Sequence, residues 1–180
     1  MVGGSALLSG WSGAGLAQTA VPPETPPEIA AELPGASLRG SATMRFLGLR
    51  IYDGRVWSAQ PVHGDGAAQP LAIELIYARS LVGSLIAKRS IGEMQGIAPF
   101  SEAQSARWLQ AMTALFPDVA AGDRLTGVQR PGQAARFYFN GALRGEVADA
   151  EFTRLFFGIW LSPKTSEPAL RAQMIGSGAP

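Results

Sequence analysis

Between Ser37 and Ser58 the chain concentrates β-branched and aromatic side chains, among them Thr43, Phe46, Ile51, Tyr52, Val56 and Trp57, and this predicts two long strands. Alternation is clearest in Leu47-Gly48-Leu49-Arg50-Ile51, which puts the apolar residues on one face. Asp53-Gly54 reads as the turn or bulge of this region. A polar, glycine-rich loop is expected over Gln60 to Gln69. Leu71-Ala72-Ile73-Glu74-Leu75-Ile76-Tyr77 predicts a third strand, apolar enough for the middle of a sheet. The period then changes. Leu81, Leu85, Ile86, Arg89 and Glu93 recur at helical spacing, with Ser80 as the expected N-cap. Ser101-Glu102-Ala103-Gln104 has the form of a capping box. The helix it opens carries Trp108, Leu109, Met112, Leu115 and Phe116 on one stripe and stops at Pro117.

Three short strands are expected next, over Asp123–Gln129, Ala135–Phe139 and Ala142–Val147. Asn140-Gly141 joins the last two as a two-residue hairpin turn. Asp149 caps a helix with Phe152, Leu155, Phe156 and Ile159 inward, ending at Ser162-Pro163. Thr165 or Ser166 caps a last helix, with Pro168 in its first turn and Leu170 and Met174 buried. Hairpin-type links between strands, with helices inserted, predict an α+β fold: one antiparallel sheet with helices packed on one face.

The first 35 residues read differently. Residues 1–20 are uncharged and rich in small side chains, and Gly15-Leu16-Ala17 fits a small-x-small cleavage site before Gln18. With no basic start, this segment is expected to be a truncated secretory signal, which places the mature protein outside the cytoplasm, in the periplasm. Pro22, Pro23, Pro26 and Pro27 then predict an extended linker over residues 21–35 with no helix. A single domain over residues 36–180 is expected.

Composition narrows the chemistry. The 180 residues carry a net charge of +1 and no Lys/Arg-rich block, so nucleic acid is not an expected partner. No apolar run reaches the roughly 18–20 residues of a membrane span, so the mature protein is expected to have no integral membrane segment. The absence of cysteine removes disulfides, thiolate metal sites and cysteine nucleophiles. The only histidine, His63, sits in Pro61-Val62-His63-Gly64-Asp65-Gly66, a turn-forming context that predicts an exposed loop residue. No metal site and no cofactor are expected.

Four segments, in order, carry a resemblance: Leu47-Gly48-Leu49-Arg50-Ile51-Tyr52-Asp53-Gly54-Arg55-Val56-Trp57; Leu75-Ile76-Tyr77-Ala78-Arg79 followed by Ile86 to Met94; Phe116-Pro117-Asp118-Val119 with Gly122-Asp123-Arg124-Leu125; and Phe156-Phe157-Gly158-Ile159-Trp160-Leu161-Ser162-Pro163. Over residues 37 to 176 the chain resembles the bacterial chalcone-isomerase-like group, whose relatives include plant chalcone isomerase and fatty-acid-binding plastid proteins. The resemblance implies an open-faced β-sandwich with an apolar ligand cleft between the sheet and two helices.

Matched onto this sequence, the plant enzyme's catalytic threonine falls on Leu47. Its tyrosine and asparagine fall near Ile86 and Glu93, and its last Thr or Ser falls near Leu155. Arg39 is the counterpart of the arginine. Apolar side chains at the oxyanion-holding positions argue against chalcone cyclisation.

The residues support three readings. The first is a non-catalytic pocket for a small apolar ligand such as a fatty acid, with Arg39 as the buried cation and Tyr52 or Tyr77 as a second donor. Leu47, Ile86, Ser90, Glu93 and Leu155 complete the expected contact set. The second is an isomerase or lyase in which Glu93 and Arg89 (or Arg39), one helical turn apart in the case of Arg89, serve as base and anion anchor. The third is a periplasmic docking protein that uses the aromatic Phe152–Leu161 helix. An enclosed apolar cavity containing a charge favours the first. Convergent titratable groups favour the second.

Overall fold

The computed structural model describes residues 23–176. The chain runs α1 (Pro27–Glu32), β1 (Ser37–Phe46), β2 (Leu49–Ser58), β3 (Leu71–Tyr77), α2 (Gly83–Ile97), α3 (Glu102–Leu115), β4 (Arg124–Arg130), β5 (Ala134–Phe139), β6 (Ala142–Val147), α4 (Ala150–Leu161) and α5 (Pro168–Met174). The six strands form one antiparallel sheet in sequence order. Each strand therefore pairs with its neighbours in the chain, and α2 and α3 are inserted between β3 and β4. The fold is α+β, an open sheet with its main helical layer on one face.

Period-2 burial decides which side chains meet that layer. Val56, Ile73, Leu75, Tyr77, Leu125 and Phe137 point to the helices, where they meet Met94, Trp108, Met112 and the aromatic run of α4. That run, Phe152, Phe156, Phe157 and Trp160, is at most 6% exposed. Helix α4 is thus the central helix of the core, and it offers no free aromatic face for docking.

Several local signals act as expected. Ser101 and Gln104 form the reciprocal capping box, and the Asp149 carboxylate accepts from the backbone N–H groups of Glu151 and Phe152. Asn140 and Gly141 both take positive φ, as a hairpin turn of this kind requires. His63 lies exposed in its loop.

Four expectations are corrected. The β1–β2 turn is at Leu47-Gly48, both at positive φ, and Asp53-Gly54 lies inside β2 opposite Thr43 and Ala42. Gly54 is there for close packing: a Cβ at this position would stand 3.0 Å from Met174 Cε. Ser80 does not cap α2. The helix begins at Gly83, whose N–H is accepted by Asp118 from 35 residues away. Neither Thr165 nor Ser166 caps α5, which starts after Glu167. Thr165 instead donates to the Ile159 carbonyl and accepts from the Glu167 N–H.

The fourth correction moves the start of the folded unit. Residues 27–32 are a helix, not part of an extended linker, because Pro27 occupies the first helical position, where no intrahelical N–H is needed. Ile29 and Leu33 then pack on Trp57, Ala72, Val128 and Tyr138, on the sheet face opposite the other helices. The expected signal segment, residues 1–20, lies outside the described residues.

Candidate functional site

The β1–β2 hairpin is bent near its tip. Met44 pairs with Tyr52, but Arg45 pairs with Arg50, leaving Ile51 as an extra residue in β2. Such a bulge turns consecutive side chains to one side, and both Ile51 and Tyr52 line a cavity of about 360 Å³ between this end of the sheet and helices α2, α4 and α5. Leu75 and Tyr77 of β3 form its floor. Ile86 and Ser90 of α2 form one wall, and Ile159 and Trp160 of α4 form the other. The size is that of a small-molecule site. Around the mouth, Phe46, Val82 and Leu85 are 47–58% exposed although apolar.

Its polar groups are few. The Tyr52 and Tyr77 rings meet edge to face with centroids 6.1 Å apart, as expected for directly paired residues of adjacent strands. The Tyr52 oxygen accepts a hydrogen bond of 3.0 Å from Trp160 Nε1, so its own proton is left to donate. The Tyr77 hydroxyl has no partner among the described residues, though the side chain is 3% exposed. Burial pushes the Tyr52 phenol up to about 12. The Trp160 hydrogen bond opposes this, and the carboxylates of Glu167 and Glu93 reinforce it more than Arg89 counters it. Tyr77 is raised further, by burial and then by Tyr52. Both are neutral hydrogen-bond donors at any physiological pH.

The charged groups lie towards solvent. Arg89 Nη2 stands 2.5 Å from Glu93 Oε1, and the guanidinium side chain is 68% exposed. Ser166 donates to the other Glu93 oxygen at 2.7 Å. Glu167 also lines the cavity.

Of the residues predicted from sequence, Tyr52, Tyr77, Ile86, Ser90 and Glu93 come together here. Three do not. Arg39 sits at a bulge of the edge strand β1, at the end of the strand far from the hairpin tip, and its Nε donates to the Ser58 carbonyl at 2.8 Å. Leu47 is the hairpin tip itself, 86% exposed, and Leu155 is core, 0% exposed. The cation of the cavity is Arg89. Trp160, Ser166 and Glu167 were missed as site residues, because only the fold brings α4 and the α4–α5 link over the β2–β3 end of the sheet. Among the described residues no group of acidic or histidine side chains is placed to hold a metal ion, and no helix is long and apolar enough to cross a membrane.

A family model described as chalcone isomerase-like matches residues 37–176. The chain belongs to the chalcone isomerase-like family. An uncharacterized protein of Haemophilus influenzae is 29% identical to this family member over 108 residues, covering 60% of the chain and 52% of that protein. The chain thus spans about half the length of the curated relative it matches. The crystal structure of a fatty-acid binding protein of Arabidopsis thaliana superposes with a TM-score of 0.62 at 14% identity, covering 79% of this chain and 87% of the other. At that identity the likeness is one of fold.

Proposed function

We propose that this chalcone-isomerase-like protein is a non-catalytic binder of a small apolar, single-headed ligand, which it holds in the cavity between the sheet and α2, α4 and α5. The observation that carries this reading is the cavity itself: its walls are aliphatic and aromatic, and its inner polar groups are two phenols that stay neutral. General acid–base chemistry on a bound molecule is best served by a group that changes protonation near neutral pH. The tyrosines are held far from that range. Of the two carboxylates on the lining, Glu93 is already engaged by Arg89 and Ser166. The fatty-acid binding protein that shares the fold supports the class of ligand.

The test is purification without denaturant, followed by solvent extraction and mass spectrometry, with displacement of the neutral fluorophore N-phenylnaphthylamine by a lipid panel as the second measurement. A co-purifying apolar molecule, or saturable probe binding lost in Ile86→Trp, is the expected result. An empty protein that takes up neither probe nor lipid ends the proposal.

An isomerase or lyase is the second reading, favoured by Glu93 and the two tyrosines sharing one cavity. It requires turnover of an apolar substrate that Glu93→Gln abolishes while binding persists. We also propose that residues 1–20 direct export to the periplasm. A fusion of residues 1–35 to alkaline phosphatase, which is active only outside the cytoplasm, is expected to be active.

A further inference from the structure

The charges around the cavity are unevenly spent. Among the described residues Arg89 is its one cationic lining residue, and its guanidinium is in contact with Glu93 at the solvent edge. Glu93 and Glu167 together outnumber it. Glu167 and Glu93 both hold the Tyr52 phenol up and Arg89 opposes them, in keeping with that excess of carboxylates over guanidinium on the lining. A buried anion is costly unless a cation or several hydrogen-bond donors stand beside it, since desolvation otherwise outweighs its interactions. Among the described residues that line the cavity, none supplies an unspent cation. What this end does supply is two O–H donors: Tyr77, with no partner and almost wholly buried, and Tyr52, whose oxygen is occupied by Trp160 but whose proton is free.

Resting on the reading of the cavity as an apolar-ligand site, we propose that the ligand's head is an uncharged carbonyl group, such as an ester, ketone or aldehyde, hydrogen-bonded by Tyr52 and Tyr77, and that Glu93 and Glu167 select against carboxylates. Two hydroxyl donors on directly paired strand residues, both lining the cavity, match the two lone pairs of a carbonyl oxygen. A carboxylate would meet the same donors with Glu93 and Glu167 on the lining and the guanidinium of Arg89 already paired. A fatty acid is therefore the right shape with the wrong head for this member of the family.

The test compares heads on one chain length at neutral pH, by displacement of N-phenylnaphthylamine from the full-length protein. Methyl laurate is expected to bind at least about tenfold more tightly than laurate, a factor worth one good hydrogen bond or one unfavourable charge contact. Tyr77→Phe is expected to lose about tenfold for methyl laurate. The double variant Glu93→Gln/Glu167→Gln frees Arg89 and removes both carboxylates from the lining, and the gap between ester and acid is expected to close. Laurate or laurylamine binding as tightly as the ester, or a Tyr77→Phe variant that keeps full ester affinity, overturns the assignment of the head. Normal probe binding in that case leaves the cavity reading standing. Failure of probe and lipids alike removes both.

Discussion

Tyr52 does two jobs with one hydroxyl. Its oxygen takes the indole N–H of Trp160, a residue only 6% exposed, and its ring covers the floor of the cavity. Removing the hydroxyl in Tyr52→Phe leaves that N–H without an acceptor in an apolar setting, which costs about 1–3 kcal/mol. Chemical denaturation followed by tryptophan fluorescence is expected to show that loss, whereas Tyr77→Phe, whose hydroxyl has no partner among the described residues, is expected to fall within about 0.5 kcal/mol of the parent. Equal effects of the two substitutions would mean that the Trp160 contact is energetically idle. At this scale the sequence was informative about type and weak about place. Tyr52, Tyr77 and Glu93 were readable as polar groups in apolar strands and on a helix face. Arg39 was misread because a bulge in β1 shifts the register there and ties its side chain to Ser58. A sequence displays the guanidinium but not the bulge.

Elements with their own punctuation were legible. The capping box of α3, the Asp149 cap of α4 and the Asn140-Gly141 turn are each written in adjacent residues. The elements that were misjudged depend on distant partners. Asp118 caps α2 across 35 residues, and Leu47-Gly48 makes a turn although leucine disfavours positive φ. Helix α1 is the sharpest case, since its six residues are held by what lies beneath them. Besides Ile29 and Leu33, it brings Glu32 within reach of Arg130 at 2.9 Å, Arg136 at 2.8 Å and the Tyr138 hydroxyl at 2.5 Å. Partial burial disfavours the Glu32 carboxylate, but the hydrogen bonds from Tyr138, Arg130 and Arg136 prevail and hold its pKa at about 2, below its ordinary 4.5. A carboxyl lowered by folding adds stability that is complete above its unfolded pKa and fades as pH falls towards the folded one. The denaturation midpoint is therefore expected to drop between about pH 5 and pH 2, and Glu32→Gln to flatten that drop while lowering stability at neutral pH. A pH profile unchanged by Glu32→Gln would show that α1 is not anchored this way. Deleting residues 1–35 is expected to be far more damaging than deleting residues 1–22, because only the longer deletion uncovers Trp57 and Val128.

The described residues form an antiparallel sheet closed on one face by four helices and left open at one corner, and that corner is where stability and the proposed function oppose each other. Elsewhere α4 fills the space above the sheet with stacked and edge-to-face rings. At the β1–β2 end the bulge, the short α5 and the N-terminus of α2 hold the walls apart around about 360 Å³. The side chains facing this space forgo contacts they would have in a filled core. A ligand restores those contacts and binds only the folded state, so at a hundredfold excess over its Kd it adds about 2.7 kcal/mol, a rise in Tm of about 5–10 °C for a chain of this size. Ile86→Trp places the missing bulk on the wall of α2 permanently. It is expected to melt about 1–5 °C above the ligand-free parent and to show no further rise with any lipid, the exchange of binding for stability that follows when a functional void is filled. Differential scanning calorimetry with and without methyl laurate reads both effects in one experiment. A parent whose Tm ignores the ester while Ile86→Trp gains stability would mean that the space is a packing defect. A variant that melts lower and still responds to ligand would mean that the molecule binds somewhere other than this corner.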